Sequence, residues 1–231
     1  MRTIGLIGGM SWESTALYYR IINETVRDRL GALHSAKLIL ASVDFHEIER
    51  LQQDGNWDDA GTLLARTALS VEAAGAQNLV LCTNTMHKVA PAIESAVTIP
   101  LLHIADPTGQ AIARNGYRTV GLLGTRFTME QAFYRERLQS RHGLEVLTPV
   151  ATDRDQVHRI IYDELCLGRI VDASRRTYRN VIERLIARGA EAIILGCTEI
   201  TMLVDPADSS VPLFDTTRLH AVAAAEWAIS E

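Results

Sequence analysis

The feature of this sequence that most constrains its fold is a weak internal repeat. RTIGLIGGMS from Arg2 resembles RTVGLLGTRF from Arg118, GAQNLVLCTN from Gly75 resembles GAEAIILGCT from Gly189, and IPLLHI from Ile99 resembles VPLFDT from Val211. The three matches occur in the same order, with offsets of 116, 114 and 112 residues. Ordered self-similarity of this kind indicates two homologous halves in one chain.

Short apolar segments alternate with longer helical patterns along both halves, which predicts an α/β fold with parallel sheets. Eight strands are expected, in TIGLIG, AKLILASV, NLVLCT, IPLLHI, TVGLLG, LEVLTP, AIILGC and VPLFDT. Their continuous apolar character indicates that helices cover both faces of each sheet. The chain of 231 residues, 47% of them hydrophobic, is long enough for two cores.

The repeat also predicts where the two domains begin and end. With "IP" and "VP" as the points where the chain passes between halves, one domain comprises 1–97 and 211–231 and the other 98–210. Ligands of open α/β sheets bind beyond the carboxyl ends of the strands, so we expect the site in a cleft shared by the domains.

Composition excludes several classes of protein. A net charge of −5 and a pI near 5.8 provide no basic surface for nucleic acid. The apolar N-terminus is too short for a membrane span or signal segment, so we expect a cytoplasmic protein without a membrane partner. Three cysteines without CxxC spacing and histidines without ligand spacing predict neither disulfides nor a metal site.

Each half opens with a strand, a glycine-bearing turn and a helix. Gly8–Gly9–Met10–Ser11 lets the backbone approach a ligand closely, and Gly124–Thr125 precedes a capping-box pattern over 128–131. Neither turn is a GxGxxG motif, so a dinucleotide site is not indicated.

A later strand in each half ends in small polar residues, Thr83–Asn84–Thr85 and Cys197–Thr198–Glu199. Hydroxyls, an amide and the N–H groups of two following helices are suited to hold a carboxylate. The repeat aligns Thr83, and not Cys82, with Cys197. Two such groups can serve opposite faces of one carbon, as racemisation requires. A thiol whose pKa is lowered by a helix N-terminus is a usable base, whereas a threonine hydroxyl is not.

Free cysteines are often simply buried, so Cys197 could also be a packing residue. Cys82 lies one position earlier and is expected to point to the other side of its strand. A pyridoxal-dependent reaction would need Lys37 or Lys88, the two lysines of the chain, and neither follows a phosphate-binding loop. No cofactor is therefore predicted.

The segments GLIGGMSWEST, TNTMHK, GLLGTRFTME and GAEAIILGCTEI together resemble the aspartate/glutamate racemase family over nearly the whole chain. The resemblance implies a pseudo-symmetric, cofactor-free enzyme that forms a homodimer, with Cys197 deprotonating the L-enantiomer. The first cysteine of the family pattern is replaced by Thr83. Glu199 resembles the aspartate branch, but Gln52 and Cys166 stand where that branch often carries basic residues. The residues predicted to bind substrate are Met10, Gln52, Asn84, Thr85, Thr125, Cys166, Thr198 and Glu199.

We therefore expect a racemase of glutamate and/or aspartate, with Cys197 and Thr83 as its catalytic pair and the L-to-D direction favoured. Two alternatives remain open. A related decarboxylase or isomerase can work with one cysteine, and an amino-acid-binding protein could retain the site without turnover. Exchange of α-hydrogen and tests with malonates distinguish these alternatives.

Overall fold

The first of two compact units in the chain contains Met1–Ile104 and the residues from His220 onward. The computed structural model describes residues 1–230. The strands of this unit are β1 (Ile4–Gly8), β2 (Leu38–Ser42), β3 (Asn78–Leu81) and β4 (Leu101–Leu102). Its helices are α1 (Trp12–Leu30), α2 (Phe45–Gln53), α3 (Trp57–Ala73) and α4 (Ala90–Ala96), with a 3-10 helix over Thr85–Val89.

The second unit contains Ala105–Leu219. Its strands are β5 (Thr119–Gly124), β6 (Glu145–Leu147), β7 (Ala192–Gly196) and β8 (Leu213–Asp215). Its helices are α5 (Ala105–Arg114), α6 (Arg126–Glu130), α7 (Ala132–His142), α8 (Ala151–Asp163), α9 (Asp172–Ala187) and α10 (Ile200–Leu203), with 3-10 helices over Leu165–Leu167 and Pro206–Asp208. Helix α11 (Thr216–Ile229) contains the second point at which the chain divides.

Eight strands form where eight apolar segments predict them, and the predicted α/β class with parallel sheets is confirmed. The compact units divide several residues after the predicted boundaries at 97 and 210. The assignment of domains itself stays a prediction.

Both sheets have the same topology and the same register. Strand order is β2-β1-β3-β4 in the first and β6-β5-β7-β8 in the second. In the first sheet Ile4 of β1 pairs with Asn78 of β3, and in the second Val120 of β5 pairs with Ala192 of β7. The pairings of β4 and β8 are offset by 112 residues, as in the sequence repeat. The internal repeat is thus a repeat of hydrogen-bonding register.

The central strands are buried except at Thr119, the first residue of β5, which explains their apolar sequences. Along β3 the side chains alternate between two clusters: Leu79 and Leu81 pack in the cluster that contains residues of α3, and Val80 in the cluster that contains Tyr18 and alanines of α11. Cys82 belongs to the second cluster. The sheet of the first unit is therefore covered on both faces.

Candidate active site

The glycine turn after β1 is a close approach of backbone to backbone. Gly9 has φ of +93°, and a Cβ at this position would lie 2.1 Å from the carbonyl oxygen of Val43. The Gly9 N–H donates to Thr15 Oγ1 at 2.8 Å. Ser11 caps α1 by accepting from the Ser14 N–H, so the predicted strand, turn and helix are all present. Met10 is buried in the α3-side cluster.

Thr83 follows β3 in a tight turn and is half-buried. Its N–H donates to the Leu81 carbonyl at 2.8 Å, and its own carbonyl accepts from His87 Nδ1 at 2.7 Å. Asn84 and Thr85, the next two predicted substrate residues, are buried. Hydrogen bonds to the backbone of Thr83 thus hold the turn in place, and the Thr83 residue remains partly exposed.

Gln52 lies at the end of α2, and its Nε2 is 2.9 Å from Met86 Sδ. Both side chains are buried. Met86 and Met10 share the same hydrophobic cluster. The structure therefore brings Gln52 and Met10 to the sheet face on which Met86, two residues beyond Asn84, packs.

The strand register makes Thr83 the structural counterpart of Cys197. Leu81 pairs with Ile7 on β1, and Leu195 pairs with Leu123 on β5. Thr83 and Cys197 stand two residues further along the chain, just beyond the ends of β3 and β7. Cys82 corresponds to Gly196, and its side chain is fully buried on the α11 side.

Cys197 and Glu199 form the polar pair of the second unit. The Cys197 Sγ–H donates to Glu199 Oε2 at 2.9 Å, and the two residues are 9% and 6% exposed. The short α10 begins directly after Glu199, so the chain turns sharply enough to bring residue 199 back to the sulfur.

The pKa of the Cys197 thiol is raised well above its ordinary value, because burial disfavours the thiolate and because the negative charge of Glu199 lies beside it. The expectation that a helix N-terminus lowers this pKa was wrong. Helix α10 has four residues, and the segment after Thr83 is a 3-10 helix, so neither turn leads into a long helix. At rest Cys197 is a neutral thiol with a carboxylate as its hydrogen-bond acceptor.

Two further predicted residues, Thr198 and Cys166, lie near Cys197. Thr198 Oγ1 and Thr217 Oγ1 are 2.8 Å apart, which ties the Cys197 turn to the first residues of α11. Cys166 packs against the hydrophobic cluster that contains Cys197. It lies in a 3-10 helix of three residues.

Thr125 is the N-cap of α6, since its Oγ1 accepts from the Thr128 N–H. The predicted capping box over 128–131 was therefore wrong, because α6 begins three residues earlier.

Two residues outside the set predicted from the sequence, His87 and Thr217, also contact these turns. His87 is joined to Thr83 O and, through Nε2, to the Ile104 N–H at 3.2 Å. The spacing of four residues between Thr83 and His87 was the signal available for the first contact. No sequence signal points to the contact of Thr198 with Thr217, which is nineteen residues away.

Within residues 1–230, no group of three or more His, Cys, Asp or Glu side chains is arranged to hold a metal ion. Among the helices of the same residues, none is both long and apolar enough to cross a membrane. Lys37 is exposed, and Lys88 Nζ lies 3.7 Å from the centre of the Trp57 ring.

Comparison with known proteins gives consistent matches. The chain is 60% identical, with a TM-score of 0.94, to a Yersinia pestis protein provisionally named an Asp/Glu racemase, and 32% identical, with a TM-score of 0.85, to an aspartate racemase homologue of Pyrococcus horikoshii OT3. Both alignments cover 100% of each chain. The broad specificity amino-acid racemase RacX of Bacillus subtilis (strain 168) is 26% identical over 153 residues, which are 65% of this chain and 64% of RacX. The matched part is thus just under two thirds of that relative.

A profile of Asp/Glu/Hydantoin racemases matches residues 7–224. Fold and matches together support an isomerase of the racemase class. The protein belongs to the Asp/Glu/Hydantoin racemase family.

Proposed function

We propose that this protein is a cofactor-independent racemase of glutamate and/or aspartate, in which Cys197 removes the α-proton of the L-enantiomer. The observation that carries the proposal is the strand register, which makes Thr83 the counterpart of Cys197 while only the second unit has a thiol there. The turn that bears Thr83 serves the opposite face of the same carbon. The remaining site residues are those predicted from the sequence.

The contact between Cys197 and Glu199 supports a base at this position despite the raised thiol pKa. The thiol proton passes along the 2.9 Å hydrogen bond to the Glu199 carboxylate, which leaves a thiolate and a carboxylic acid. The thiolate then takes the α-proton of the L-substrate, and the electron pair of the C–H bond stays on the substrate. A water at the half-buried Thr83 gives a proton to the other face and becomes hydroxide. The proton held by Glu199 then passes through solvent to that hydroxide, so that Cys197 is again a thiol and Glu199 a carboxylate.

This chemistry predicts a difference between directions. Thr83 cannot act as a resting base, so starting from the D-enantiomer is slow. Since two enantiomers have equal free energies in water, the asymmetry is one of kcat and KM and not of equilibrium.

The lysines support a reaction without pyridoxal phosphate. Lys37 is exposed, and Lys88 packs on Trp57. Treatment with hydroxylamine, which removes pyridoxal phosphate from enzymes, is expected to leave the activity unchanged. Loss of activity that added pyridoxal phosphate restores would refute cofactor independence.

The predicted substrate residues do not define one strict substrate. They offer hydroxyls, amides and the Glu199 carboxylate, and none of them is basic. The broad specificity of RacX supports the same conclusion. A panel of L- and D-amino acids read by chiral chromatography defines the range. Activity restricted to basic or aromatic amino acids would refute the substrate assignment.

The decisive experiment measures α-hydrogen exchange in deuterated water from each enantiomer separately. We expect fast exchange from L-substrate and slow exchange from D-substrate, with the D-side rate raised in Thr83→Cys. Equal rates in the wild type would contradict the single-thiol mechanism. Binding without exchange from either enantiomer would identify a binding protein instead.

The single thiol also fits a one-cysteine decarboxylase or isomerase. Incubation with aryl- and alkylmalonates separates the two reactions, because carbon dioxide release without α-proton exchange of amino acids would favour the decarboxylase. From the family resemblance we further propose a cytoplasmic homodimer. Sedimentation of the purified protein tests its oligomeric state.

A further inference from the structure

His87 connects the ends of two adjacent strands in the first unit. Its Nδ1 is 2.7 Å from the carbonyl oxygen of Thr83, just after β3, and its Nε2 is 3.2 Å from the backbone nitrogen of Ile104, just after β4. The imidazole is buried. One rigid ring therefore fixes the spacing of both strand ends.

These two contacts define the protonation state of the ring. A carbonyl oxygen only accepts, so Nδ1 must carry a proton, and a backbone N–H only donates, so Nε2 must be without one. A proton on Nε2 would point at the Ile104 N–H. The contacts thus select the neutral Nδ1–H tautomer.

Neighbouring rings hold His87 in place. The ring of His103 lies 4.5 Å from that of His87, and the ring of His220 lies 5.8 Å from it. His220 itself contacts the Tyr18 hydroxyl through Nδ1 and the Leu102 carbonyl through Nε2, each at 2.8 Å. All four side chains are buried, so the ring of His87 has little room to rotate.

The second unit lacks the equivalent connection. By the 114-residue offset, His87 corresponds to Thr201, whose hydroxyl donates to the carbonyl of Thr198 at 2.7 Å. In the second unit the hydrogen bond from Thr201 thus holds the carbonyl of Thr198, the residue after Cys197. In the first unit the hydrogen bond from His87 holds the carbonyl of Thr83 itself.

We propose that His87 is a positioning residue for Thr83, which acts by holding the carbonyl of that residue and therefore the direction of its side chain. The inference rests on the proposed racemase function. His87 touches backbone atoms and other rings and is assigned no chemical step. Its loss is expected to impair the step served by the Thr83 turn, and not proton removal by Cys197.

Two substitutions separate the two contacts of the ring. The side-chain amide of His87→Asn places a donor where Nδ1 lies and retains the bond to Thr83. The longer amide of His87→Gln places an acceptor where Nε2 lies and retains the bond to Ile104. His34→Asn, in an exposed loop of the same unit, is the matched control.

The kinetic readout compares net L-to-D turnover with exchange of the L-substrate α-hydrogen at retained configuration. Since misplacement by about 1 Å can reduce a rate a hundredfold, we expect His87→Gln to lose about tenfold or more in turnover. Its exchange rate should change less than about threefold. His87→Asn should retain turnover within about threefold of wild type. Equal losses in both rates, in both variants, would show a merely structural role and overturn the proposal.

A second readout does not depend on activity. Nitrogen-15 NMR of the histidine-labelled wild type should show a neutral Nδ1–H tautomer for one buried ring, assigned as the signal absent from both variants. An Nε2–H tautomer or an imidazolium at neutral pH would refute the proposal. If the wild type exchanged no amino-acid α-hydrogen, the proposed function would fail, while the tautomer would still decide whether His87 holds Thr83.

Discussion

The hydrogen bond between Thr198 and Thr217 gives a prediction whose size follows from burial. The two hydroxyl oxygens are 2.8 Å apart, and the residues are 7% and 0% exposed. Valine has nearly the shape of threonine, so Thr198→Val and Thr217→Val each remove one hydroxyl with little change in packing. Each change leaves the other hydroxyl without this partner.

The free energy of unfolding should fall by different amounts in the two variants. A lost hydrogen bond destabilises by about 1 kcal/mol, and a buried hydroxyl left unsatisfied costs about 1–3 kcal/mol. In Thr198→Val the stranded group is the fully buried Thr217 hydroxyl, so we expect the upper part of that range. In Thr217→Val the stranded Thr198 hydroxyl is slightly exposed and can reach water, so the loss should be about 1 kcal/mol.

The double variant should be nearly as stable as the wild type, within about 1 kcal/mol, because neither hydroxyl is then stranded. The resulting coupling energy, which is the sum of the two single losses minus the loss in the double variant, is about 2–4 kcal/mol. Urea unfolding monitored by both circular dichroism and tryptophan fluorescence measures the four free energies, and coincident transitions justify the comparison. The reasoning would be refuted if the double variant lost as much free energy of unfolding as the two single variants lose together, or more. Equal losses in the two single variants would refute it as well.

Three further outcomes are expected. Cys197→Ala should abolish α-hydrogen exchange from L-substrate, and survival of exchange in this variant would refute the mechanism. Cys82→Ala should retain most of the exchange. It should lose about 1–3 kcal/mol of stability, because Cys82 is fully buried on the opposite side of its strand. Glu199→Gln should lower the pKa of the Cys197 thiol towards, but not to, its ordinary value, because the negative charge is removed while burial remains. More thiolate is then present at a given pH above neutrality, so alkylation by iodoacetamide should begin at lower pH than in the wild type. An unchanged pH profile of alkylation would contradict the role of the carboxylate. Gly9→Ala should destabilise by about 1–3 kcal/mol in thermal unfolding, because φ is +93° and the added methyl group meets the Val43 carbonyl, with Gly31→Ala, which also has positive φ but open space, as the control.

The sequence predicted the fold well because its main signals are local. Each strand is a short apolar segment between turns, and the alternation of side chains along β3 was sufficient to place Cys82 and Thr83 on different sides. The alignment of Thr83 with Cys197 needed only the spacing of the repeat, which the hydrogen-bonding register reproduces.

The electrostatics of the site could not be predicted in the same way. Whether a thiol is stabilised as an anion depends on how far the next helix continues and on where the side chain two residues later points. Helix α10 ends after four residues, and Glu199 turns back to Cys197, so the sign of the pKa shift is opposite to the expected one. Likewise, the contact from His87 to Ile104 depends on the separation of β3 and β4, which no local pattern records.

The matching register of the two sheets has a consequence for how such a protein can change. From β1 to β2 and from β5 to β6 the spacing differs between the halves, since Ile4 pairs with Leu38 but Val120 pairs with Val146. The spacing from β1 to β3 also differs from that between β5 and β7, since Ile4 pairs with Asn78 and Val120 pairs with Ala192, while the residue-by-residue register that leads to positions 83 and 197 is the same. A duplicated half-length gene would begin with the same residue at both positions. One codon change would then make the two positions differ, as Thr83 and Cys197 do, without any change in strand pairing.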